Sequence, residues 1–328
     1  MAQTTVPMEI EMPRHKTYVP HGVIPAVILP FHDDLSIDEP NFRKHLRDVT
    51  SAEGLSAITI NAHSTEVASC TFDEQKRVLD IAGSEIGDTT PLINGIWADG
   101  SLEAARLAKM ATAGGASALL VFPPAPFTMG QNVAMAVEHF KQIADASDLP
   151  LIAFQYPLAT GQGYPNDTIL RMIEDIPTLK AIKDWAGTPQ QHEWHVRTLQ
   201  NLSRPFNVLS TQSSWLMASL SFGCRGLLSG SGSVIADLQA QLFRAVQAGD
   251  LKTAQGINDR IYPLASVFYA QPWVDMHNRM KEALVLLGKL PRAVVRPPLV
   301  KIERAEIERI RKALVEAKLL PAASAKAA

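Results

Sequence analysis

Residues 116–157 read ASALLVFPPAPFTMGQNVAMAVEHFKQIADASDLPLIAFQYP, and this stretch decides the fold. Two short and almost wholly apolar runs, at 118–122 and 149–155, flank a segment over 131–146 whose apolar residues recur at helical spacing. Strands that are apolar on both faces are typical of a parallel sheet covered on both sides. Because an intervening helix returns the chain to the same edge of the sheet, the stretch predicts a parallel βαβ unit.

The same alternation continues in both directions from this unit. We predict eight strands, at 23–29, 55–61, 91–96, 118–122, 149–155, 179–183, 206–210 and 226–229. Helical patterns follow them near 39–53, 73–85, 101–113, 131–146, 167–175, 188–200, 212–221 and 236–248. Eight strand–helix units favour an α/β fold of the closed (β/α)8 TIM barrel type over an open sheet. The glycine motifs GxGxxG and GxxxxGK[ST], which would favour an open nucleotide-binding sheet, are absent.

The alternation also divides the chain. We predict an N-terminal arm at 1–20, the barrel at 21–249, a C-terminal helical extension at 250–320 and a flexible tail at 321–328. The extension contains three further helical patterns, near 251–268, 274–287 and 301–318. Glu9 and Glu11 interrupt the N-terminal stretch, which therefore makes a poor signal peptide.

Composition excludes several functional classes. Of 328 residues, 46% are hydrophobic and 20% are charged, as in an ordinary globular chain. The formal net charge is −2, so no broad field is available to attract nucleic acid or an anionic membrane, and we expect neither as a partner. Two cysteines, Cys70 and Cys224, cannot build a disulfide framework, which predicts a reducing, cytoplasmic location. No Cys/His spacing typical of a metal site occurs, and we expect neither a metal nor a cofactor.

A single lysine stands out at the end of the sixth predicted strand. TIM-barrel active sites lie at the C-terminal ends of the strands, where Lys183 follows Leu179 and Ala181 at the period of two. If this face points into the lumen, burial disfavours the charged amine and lowers its pKa. The free amine would then attack a carbonyl carbon to form a Schiff base. A surface lysine at a strand end is the alternative interpretation.

Six short motifs occur in order along the barrel. They are GVIPA at 22–26, LPF at 29–31, AHSTE at 62–66, LIAFQYP at 151–157, IKD at 182–184 and GCRG at 223–226. Together they resemble the dihydrodipicolinate synthase/N-acetylneuraminate lyase family of class I aldolases. That family's motifs read G-V-x-x-A, T-P-F, G-[TS]-T-G-E, Y-N-x-P, [IV]-K-[DEQ] and G-[AC]-x-G. The resemblance implies a cofactor-independent enzyme in which Lys183 forms an imine with pyruvate or another 2-oxo acid. It also implies a homodimer or homotetramer.

The resemblance assigns further residues to substrate binding. Ser64 occupies the second hydroxyl position of the G-[TS]-T-G-E motif, which implies that it binds the 2-oxo acid carboxylate. Backbone N–H groups beside Thr65 and Glu66 would add donors, with Glu66 orienting the loop. The Ser/Gly run after the eighth strand makes Ser231 and Ser233 candidate contacts. A plain turn for Ser64 and close packing for the Ser/Gly run are the alternatives.

The chain departs from the family pattern at four positions. Phe154 stands where the family usually has the tyrosine that relays protons, and His63 stands at the first hydroxyl position. Ala125 replaces a tyrosine of the family's P-Y-Y segment, and Ala159 falls where the synthase has a carboxylate-binding arginine. These departures argue against lysine-pathway synthase activity.

We therefore predict that another group moves the protons. His63 is the first candidate, since an ordinary imidazole titrates near neutral pH. Tyr156, two residues beyond Phe154, would share its facing and offer its own hydroxyl, and the substrate's carboxylate is a third possibility. A pocket lined by Phe154, Ala125, Phe127, Ala159 and Trp185 would favour an apolar or aromatic aldehyde.

Three functions remain open on the sequence alone. The first is a carbon–carbon lyase that joins or splits a 2-oxo acid and a fairly apolar aldehyde through the lysine imine. The second is a hydro-lyase or deaminase that acts on a hydroxylated 2-oxo acid through the same imine. The third is a catalytically inert family member that binds a 2-oxo acid. His192 and His195 lack the HExxH spacing and lie on a predicted outer helix, which argues against a metal role.

Overall fold

The computed structural model describes residue 15 and residues 17–321, so most of the predicted arm and tail lies outside the described residues. Eight strands alternate with eight helices, which confirms the predicted (β/α)8 architecture. The strands are β1 (Gly22–Pro25), β2 (Ile58–Ile60), β3 (Leu92–Ile96), β4 (Ala118–Val121), β5 (Leu151–Gln155), β6 (Leu179–Asp184), β7 (Asn207–Ser210) and β8 (Gly226–Ser229).

Each strand is followed by its helix on the outside of the sheet. The barrel helices are α1 (Glu39–Thr50), α2 (Phe72–Ile86), α3 (Ser101–Ala113), α4 (Val133–Ala144), α5 (Asn166–Asp175), α6 (Pro189–Leu199), α7 (Leu216–Ser221) and α8 (Gly232–Gln247). Three more helices follow the barrel, α9 (Leu251–Phe268), α10 (Met276–Leu286) and α11 (Arg304–Glu316). No helix within residues 17–321 is long and apolar enough to cross a membrane.

The sheet closes into a ring. Its strands pair in parallel in the order β1-β8-β7-β6-β5-β4-β3-β2, and the remaining seam is bridged where Val23 meets Leu55 and Ala26 meets Thr59. Across that seam the Val27 N–H donates to the carbonyl of Thr59 at 3.0 Å. Closure removes both sheet edges and directs the C-terminal ends of all eight strands to one mouth.

Alternate strand residues fill the barrel interior. The inward-facing cluster contains Ile24, Ala26, Ile93, Leu120, Phe122, Ile152, Phe154, Ala181, Leu209 and Leu228, all with at most 2% of their surface exposed. The intervening residues pack outward against the helices in a second, larger core. The lumen is therefore a packed core below the mouth, as in other TIM barrels.

The predicted strands differ from the observed ones in their bounds and, in one strand, in facing. β1 stops at Pro25, although the prediction extended it to residue 29, because the chain from there to residue 29 pairs only through an isolated bridge at Ala26 and then supplies core contacts. Leu179 does not share the facing of Lys183. Leu151 pairs with Leu179 but Ile152 pairs with Ala181, so Lys180 is an extra residue in the ladder. This register shift turns Leu179 outward and leaves Ala181 inward.

Candidate active site

Lys183 projects into the barrel mouth from β6. Its register neighbours on β5 and β7 are Phe154 and Leu209, which both belong to the inward-facing cluster. The side chain is 5% exposed, and its Nζ lies 3.9 Å from the centre of the Phe154 ring. Among the described residues, Nζ has no hydrogen-bond or carboxylate partner. The amine therefore faces an aromatic ring, whereas a buried lysine usually faces an acidic partner.

Burial lowers the pKa of Lys183 from its ordinary 10.5 to about 7. The cause is desolvation, because an ammonium loses its hydration in the apolar mouth and gains no counter-charge there. Near neutral pH about half of the molecules thus hold an uncharged amine. Only that form has the lone pair that attacks a carbonyl carbon.

Ser64 shares the same cavity with Lys183. The cavity has a volume of about 400 Å³ and opens at the C-terminal mouth of the barrel. Ser64 is 1% exposed, and its buried Oγ has no hydrogen-bond partner within the described chain. An unpartnered buried hydroxyl is costly unless a ligand supplies the missing bond. The arrangement fits a hydroxyl kept free for an oxygen of the substrate.

The loop that carries Ser64 is fixed by its neighbours. Asn61 adopts a positive φ of 49°, and its carbonyl oxygen lies 1.8 Å from where a Cβ on Gly95 would sit. Only glycine at this position of β3 allows the loop to pass. Glu66, also at a positive φ of 52°, forms an ion pair with Lys281 and accepts from the Arg296 N–H at 2.9 Å. Helix α10 and the segment after it thus anchor this loop.

The predicted substrate donors around Thr65 are not free. The Thr65 hydroxyl donates to the Ala62 carbonyl and accepts from the Ala62 N–H, both at 2.8 Å. The N–H groups of Thr65 and Glu66 donate to the carbonyls of Ala62 and His63, at 3.1 and 2.9 Å. Thr65 therefore closes the turn that presents Ser64, and its hydroxyl and these two N–H groups already have partners inside the protein.

His63 and Tyr156 form a hydrogen-bonded pair beside the lysine. The Tyr156 hydroxyl lies 2.9 Å from His63 Nε2, and His63 Nδ1 has no partner among the described residues. Burial and the positive charge of Lys183 lower the pKa of His63 to about 3, and burial raises the pKa of Tyr156 above its usual range. The pair is therefore neutral near pH 7. His63 therefore does not titrate near neutrality as the sequence suggested.

Aromatic side chains enclose this pair. The His63 ring lies 4.9 Å from Phe122, 5.2 Å from Trp97 and 5.7 Å from Phe154, measured between ring centres. Tyr156 packs edge-on against Phe154 at 4.6 Å, which confirms that both side chains share the inward face. His63 itself lines the cavity, whereas Tyr156 lies behind it.

Loop residues were the least accurate part of the predicted pocket. Trp185 and Phe154 line the cavity, as predicted. Ala125 and Ala159 are exposed and lie outside the lining, and Phe127 packs in the outer core. The loops after β4 and β5 turn away from the mouth through short 3-10 helices at Ala125–Met129 and Leu158–Thr160.

The serine run after β8 faces protein groups and not the cavity. The Ser231 hydroxyl bonds Ser229 Oγ and the Gln239 side-chain amide, both at 2.9 Å. The Ser233 hydroxyl donates to the Ala26 carbonyl at 2.8 Å. Both hydroxyls have partners inside the protein and neither residue lines the cavity, so the structure does not bring these two candidates to the predicted substrate space. Gly230 is the residue of this run that does line it.

Two groups of lining residues were missed. One follows β7, where the polar run after the predicted strand was a signal, and the other comes from the extension, which carried no signal for the site. They are Thr211, Gln212, Ser213, Ser214, Trp215, Tyr269, Trp273, Met276 and His277. Trp273 packs edge-on against Trp185 with ring centres 5.3 Å apart. The extension therefore roofs the barrel mouth and completes the cavity.

His192 and His195 lie on the outer helix α6, where they were predicted. Both are fully buried, and their Nδ1 atoms donate to Oδ2 of Asp184 at 2.7 and 2.8 Å. Burial alone would raise the pKa of Asp184, but the two imidazoles outweigh it and hold that pKa below its usual range. Asp184 points away from Lys183, because successive strand residues alternate. No cluster of three or more metal-ligating side chains occurs within residues 17–321.

A closed parallel barrel with an unpaired buried lysine at its C-terminal mouth defines a class. It is the class of (β/α)8 lyases that act through a Schiff base on a small carbonyl substrate.

The chain belongs to the dihydrodipicolinate synthetase family, whose sequence profile matches residues 19–317. It is accordingly an aldolase-type lyase of class I. The 4-hydroxy-tetrahydrodipicolinate synthase of Methanoculleus marisnigri is 27% identical over 297 residues, which cover 90% of this chain and 98% of that protein. The synthase of the same name from Chloroherpeton thalassium is 28% identical over 303 residues, covering 92% and 97%.

Solved structures share the fold at lower identity. A prophage protein of the dihydrodipicolinic acid synthase family from E. coli K12, solved in complex with pyruvate, superposes with a TM-score of 0.84 at 23% identity. The match covers 92% of this chain and 99% of that one. A monomeric dihydrodipicolinate synthase variant also gives a TM-score of 0.84, at 22% identity and with coverages of 92% and 97%.

Proposed function

We propose that this protein is a lyase that binds pyruvate or a related 2-oxo acid as an imine on Lys183. In the proposed reaction it joins that acid to, or splits it from, a fairly apolar aldehyde, aromatic aldehydes included. The observation that carries the proposal is that two side-chain groups without internal partners face the same cavity. The Lys183 amine has a pKa of about 7 and no counter-ion, and the Ser64 hydroxyl has no internal bond.

In this proposal each of the two groups binds a different part of the 2-oxo acid. The amine of Lys183 attacks the keto carbon, and loss of water gives the imine. Ser64 donates its hydroxyl hydrogen to the neighbouring carboxylate, a charge-assisted bond that needs no other cation. Phe154 contacts the lysine but has no hydroxyl, so the proton at the methyl carbon passes to His63, supported by Tyr156.

The composition of the cavity supports an apolar second substrate. Among its lining residues, Lys183 is the only lysine or arginine, and no aspartate or glutamate is present. A second carboxylate bound there would be buried without a cation once the lysine is consumed in the imine. Five aromatic residues form much of the wall: Phe154, Trp185, Trp215, Tyr269 and Trp273. Such a wall stacks against an aromatic aldehyde.

The proposal includes a homodimer or homotetramer in the cytoplasm. Cys70 and Cys224 are both free, as expected in a reducing compartment. Large apolar side chains at the surface, including Leu102 at 81% and Met129 at 86% exposure, are available for a contact between copies. Sedimentation velocity would detect the assembly, and a single monomer species at all concentrations would contradict it.

The experiment has two arms. The first treats the protein with pyruvate and borohydride, which reduces an imine to a stable amine, and maps the modified peptide by mass spectrometry. The second incubates pyruvate with benzaldehyde, or with a sugar aldehyde, and analyses the products. Modification at Lys183 with turnover of benzaldehyde supports the proposal. Turnover of sugar aldehydes alone would overturn the apolar substrate, and dehydration or deamination without an aldehyde would assign the hydro-lyase or deaminase activity.

His63→Gln tests the proton step separately. The variant keeps a hydrogen-bonding side chain but cannot exchange protons as imidazole does. We expect the rate at which the pyruvate methyl hydrogens exchange with D2O, measured by NMR, to fall by about 10²-fold or more. Borohydride trapping should persist, since imine formation uses Lys183. Unchanged exchange would remove His63 from the mechanism.

A further inference from the structure

A second imidazole faces the cavity from helix α10. His277 is the second residue of α10 and lines the cavity together with Lys183 and Ser64. His63 belongs to the loop after β2 and packs on the aromatic rings of β4 and β5, whereas His277 lies over Gly230 at the end of β8. The two histidines thus reach the cavity from different elements, the loop after β2 and helix α10.

The backbone around His277 is held firmly. Asn278 donates from Nδ2 to the Val300 carbonyl at 2.8 Å, and Arg279 donates from its guanidinium to the carbonyls of Ala270 and Pro272 at 2.7 and 3.2 Å. Arg279 also pairs with Glu306 on α11. These bonds fix the start of α10 over the cavity, so the position of the imidazole is set by the fold.

The imidazole ring of His277 occupies space left by Gly230 and has no hydrogen-bond partner among the described residues. A Cβ on Gly230 would lie 2.7 Å from Nε2 of His277, so a larger residue at this position would force the imidazole to move. His277 is 7% exposed, and its two ring nitrogens have no hydrogen-bond partner among the described residues. By contrast, His192 and His195 on the outer helix both bond Asp184. A buried imidazole that lines a cavity without a partner is available to a ligand.

Burial keeps this imidazole unprotonated. It lowers the pKa of His277 well below 6.5, and the neighbouring amines of Lys183 and Lys281 lower that pKa further. The neutral ring can accept a proton from a bound hydroxyl.

We propose that His277 is the catalytic base and acid of the carbon–carbon step, a role separate from that of His63. This inference rests on the proposed function. In the cleavage direction an imidazole nitrogen of His277 takes the proton of the β-hydroxyl on the imine-bound substrate. The bond between the hydroxyl-bearing carbon and its neighbour then breaks. Its electron pair forms the enamine on Lys183, and the released carbon becomes the aldehyde. Condensation reverses each movement, with the imidazolium returning its proton to the new hydroxyl.

Separating the two half-reactions tests this assignment. In His277→Gln we expect condensation of pyruvate with benzaldehyde to fall by about 10²- to 10⁴-fold. Borohydride trapping and methyl-hydrogen exchange of pyruvate should stay within about twofold of wild type, because neither involves the aldehyde. Imidazole added to His277→Ala should restore part of the lost condensation. Gly230→Ala, which displaces the ring, should likewise lose condensation and keep trapping and exchange.

His45→Gln is the matched control. His45 is also buried, with a pKa lowered to about 3 by burial and the charge of Lys289, but it does not line the cavity. Condensation should be unaffected in this variant. Full condensation by His277→Gln, or an equal loss of exchange and condensation in a folded variant, would overturn the role of His277. Absence of trapping in the wild-type protein would instead overturn the proposed function.

Discussion

Two buried lysines lie near the barrel mouth, and the structure treats them in opposite ways. Lys183 on β6 and Lys281 on α10 are 5% and 0% exposed, and each amine lies over a phenylalanine ring, at 3.9 Å for Phe154 and 4.3 Å for Phe31. Lys281 is paired with Glu66 and also donates to the Val294 carbonyl at 2.8 Å. Lys183 has neither kind of partner within the described chain.

The difference shows what converts a buried lysine into a nucleophile. Burial lowers the pKa of both amines, but at Lys281 the Glu66 carboxylate opposes that shift. At Lys183 nothing opposes it, and the pKa falls to about 7. Lys281 therefore holds the helical extension on the Ser64 loop, and Lys183 is left reactive. Withholding a counter-ion determines the chemistry, and burial by itself does not.

The largest expected effect is on turnover. Lys183→Arg keeps a positive charge but cannot form an imine, so we expect turnover to fall on the order of 10⁴-fold or more. Borohydride trapping with pyruvate should disappear at the same time. Lys281→Arg is the matched control, because it keeps its charge beside Glu66 and should still be trapped at Lys183. Equal losses in the two variants would contradict the division between the lysines.

Removing the Lys281 amine should lower the stability of the folded protein. Lys281→Met leaves the Glu66 carboxylate buried without a cation, so we expect the free energy of unfolding to fall by about 3–5 kcal/mol. Urea denaturation measures this change. Adding Glu66→Gln should recover part of the loss, since the uncompensated charge is then removed. If the double variant is as unstable as the single one, the ion pair is not the cause.

Lys183→Met should stabilise the protein. The pKa of this amine is lower in the folded state than in the unfolded chain, so folding pays for an enclosed charge below about pH 7. Removing it should raise the free energy of unfolding by about 4 kcal/mol near pH 7, given the fall of the pKa from 10.5 to about 7. Because both states lose the proton at high pH, the gain should shrink as pH rises from 7 towards 10.5. A gain that is independent of pH would indicate a packing effect.

The smallest effect is expected at Ser64. Ser64→Ala removes the hydroxyl proposed to hold the carboxylate and leaves no internal partner unsatisfied. We expect KM for pyruvate to rise about tenfold, equivalent to one hydrogen bond to a charged group, with little change in stability. Thr65→Ala should behave differently, since its hydroxyl closes the turn, and should lower stability. Similar effects of both substitutions on KM would argue against this distinction.

The sequence predicted the parts of the molecule that depend on periodicity. The βα alternation, the shared face of Ala181 and Lys183 and the shared face of Phe154 and Tyr156 all follow from strand and helix periods, whereas the direction in which Lys183 points was left open. The extra residue at Lys180 was not visible, because a register shift depends on the pairing between strands and leaves the pattern of apolar residues unchanged.

Residues contributed by loops and by the extension could not be predicted in the same way. Ala125 and Ala159 follow strands in sequence yet lie outside the cavity, since the course of a proline-rich loop is set by its packing. His277 lies 94 positions after Lys183 in the chain, and only the docking of α10 on the barrel brings it to the same cavity. The family motifs carried no information about that contact.

The rate of borohydride trapping as a function of pH, with the modified peptide identified, tests the central claim most directly. With pyruvate well below saturation, we predict labelling at Lys183 alone and a rate that rises with a midpoint near pH 7. Labelling at Lys281 or at surface lysines, or a midpoint near 10, would contradict a buried and unpaired amine as the nucleophile.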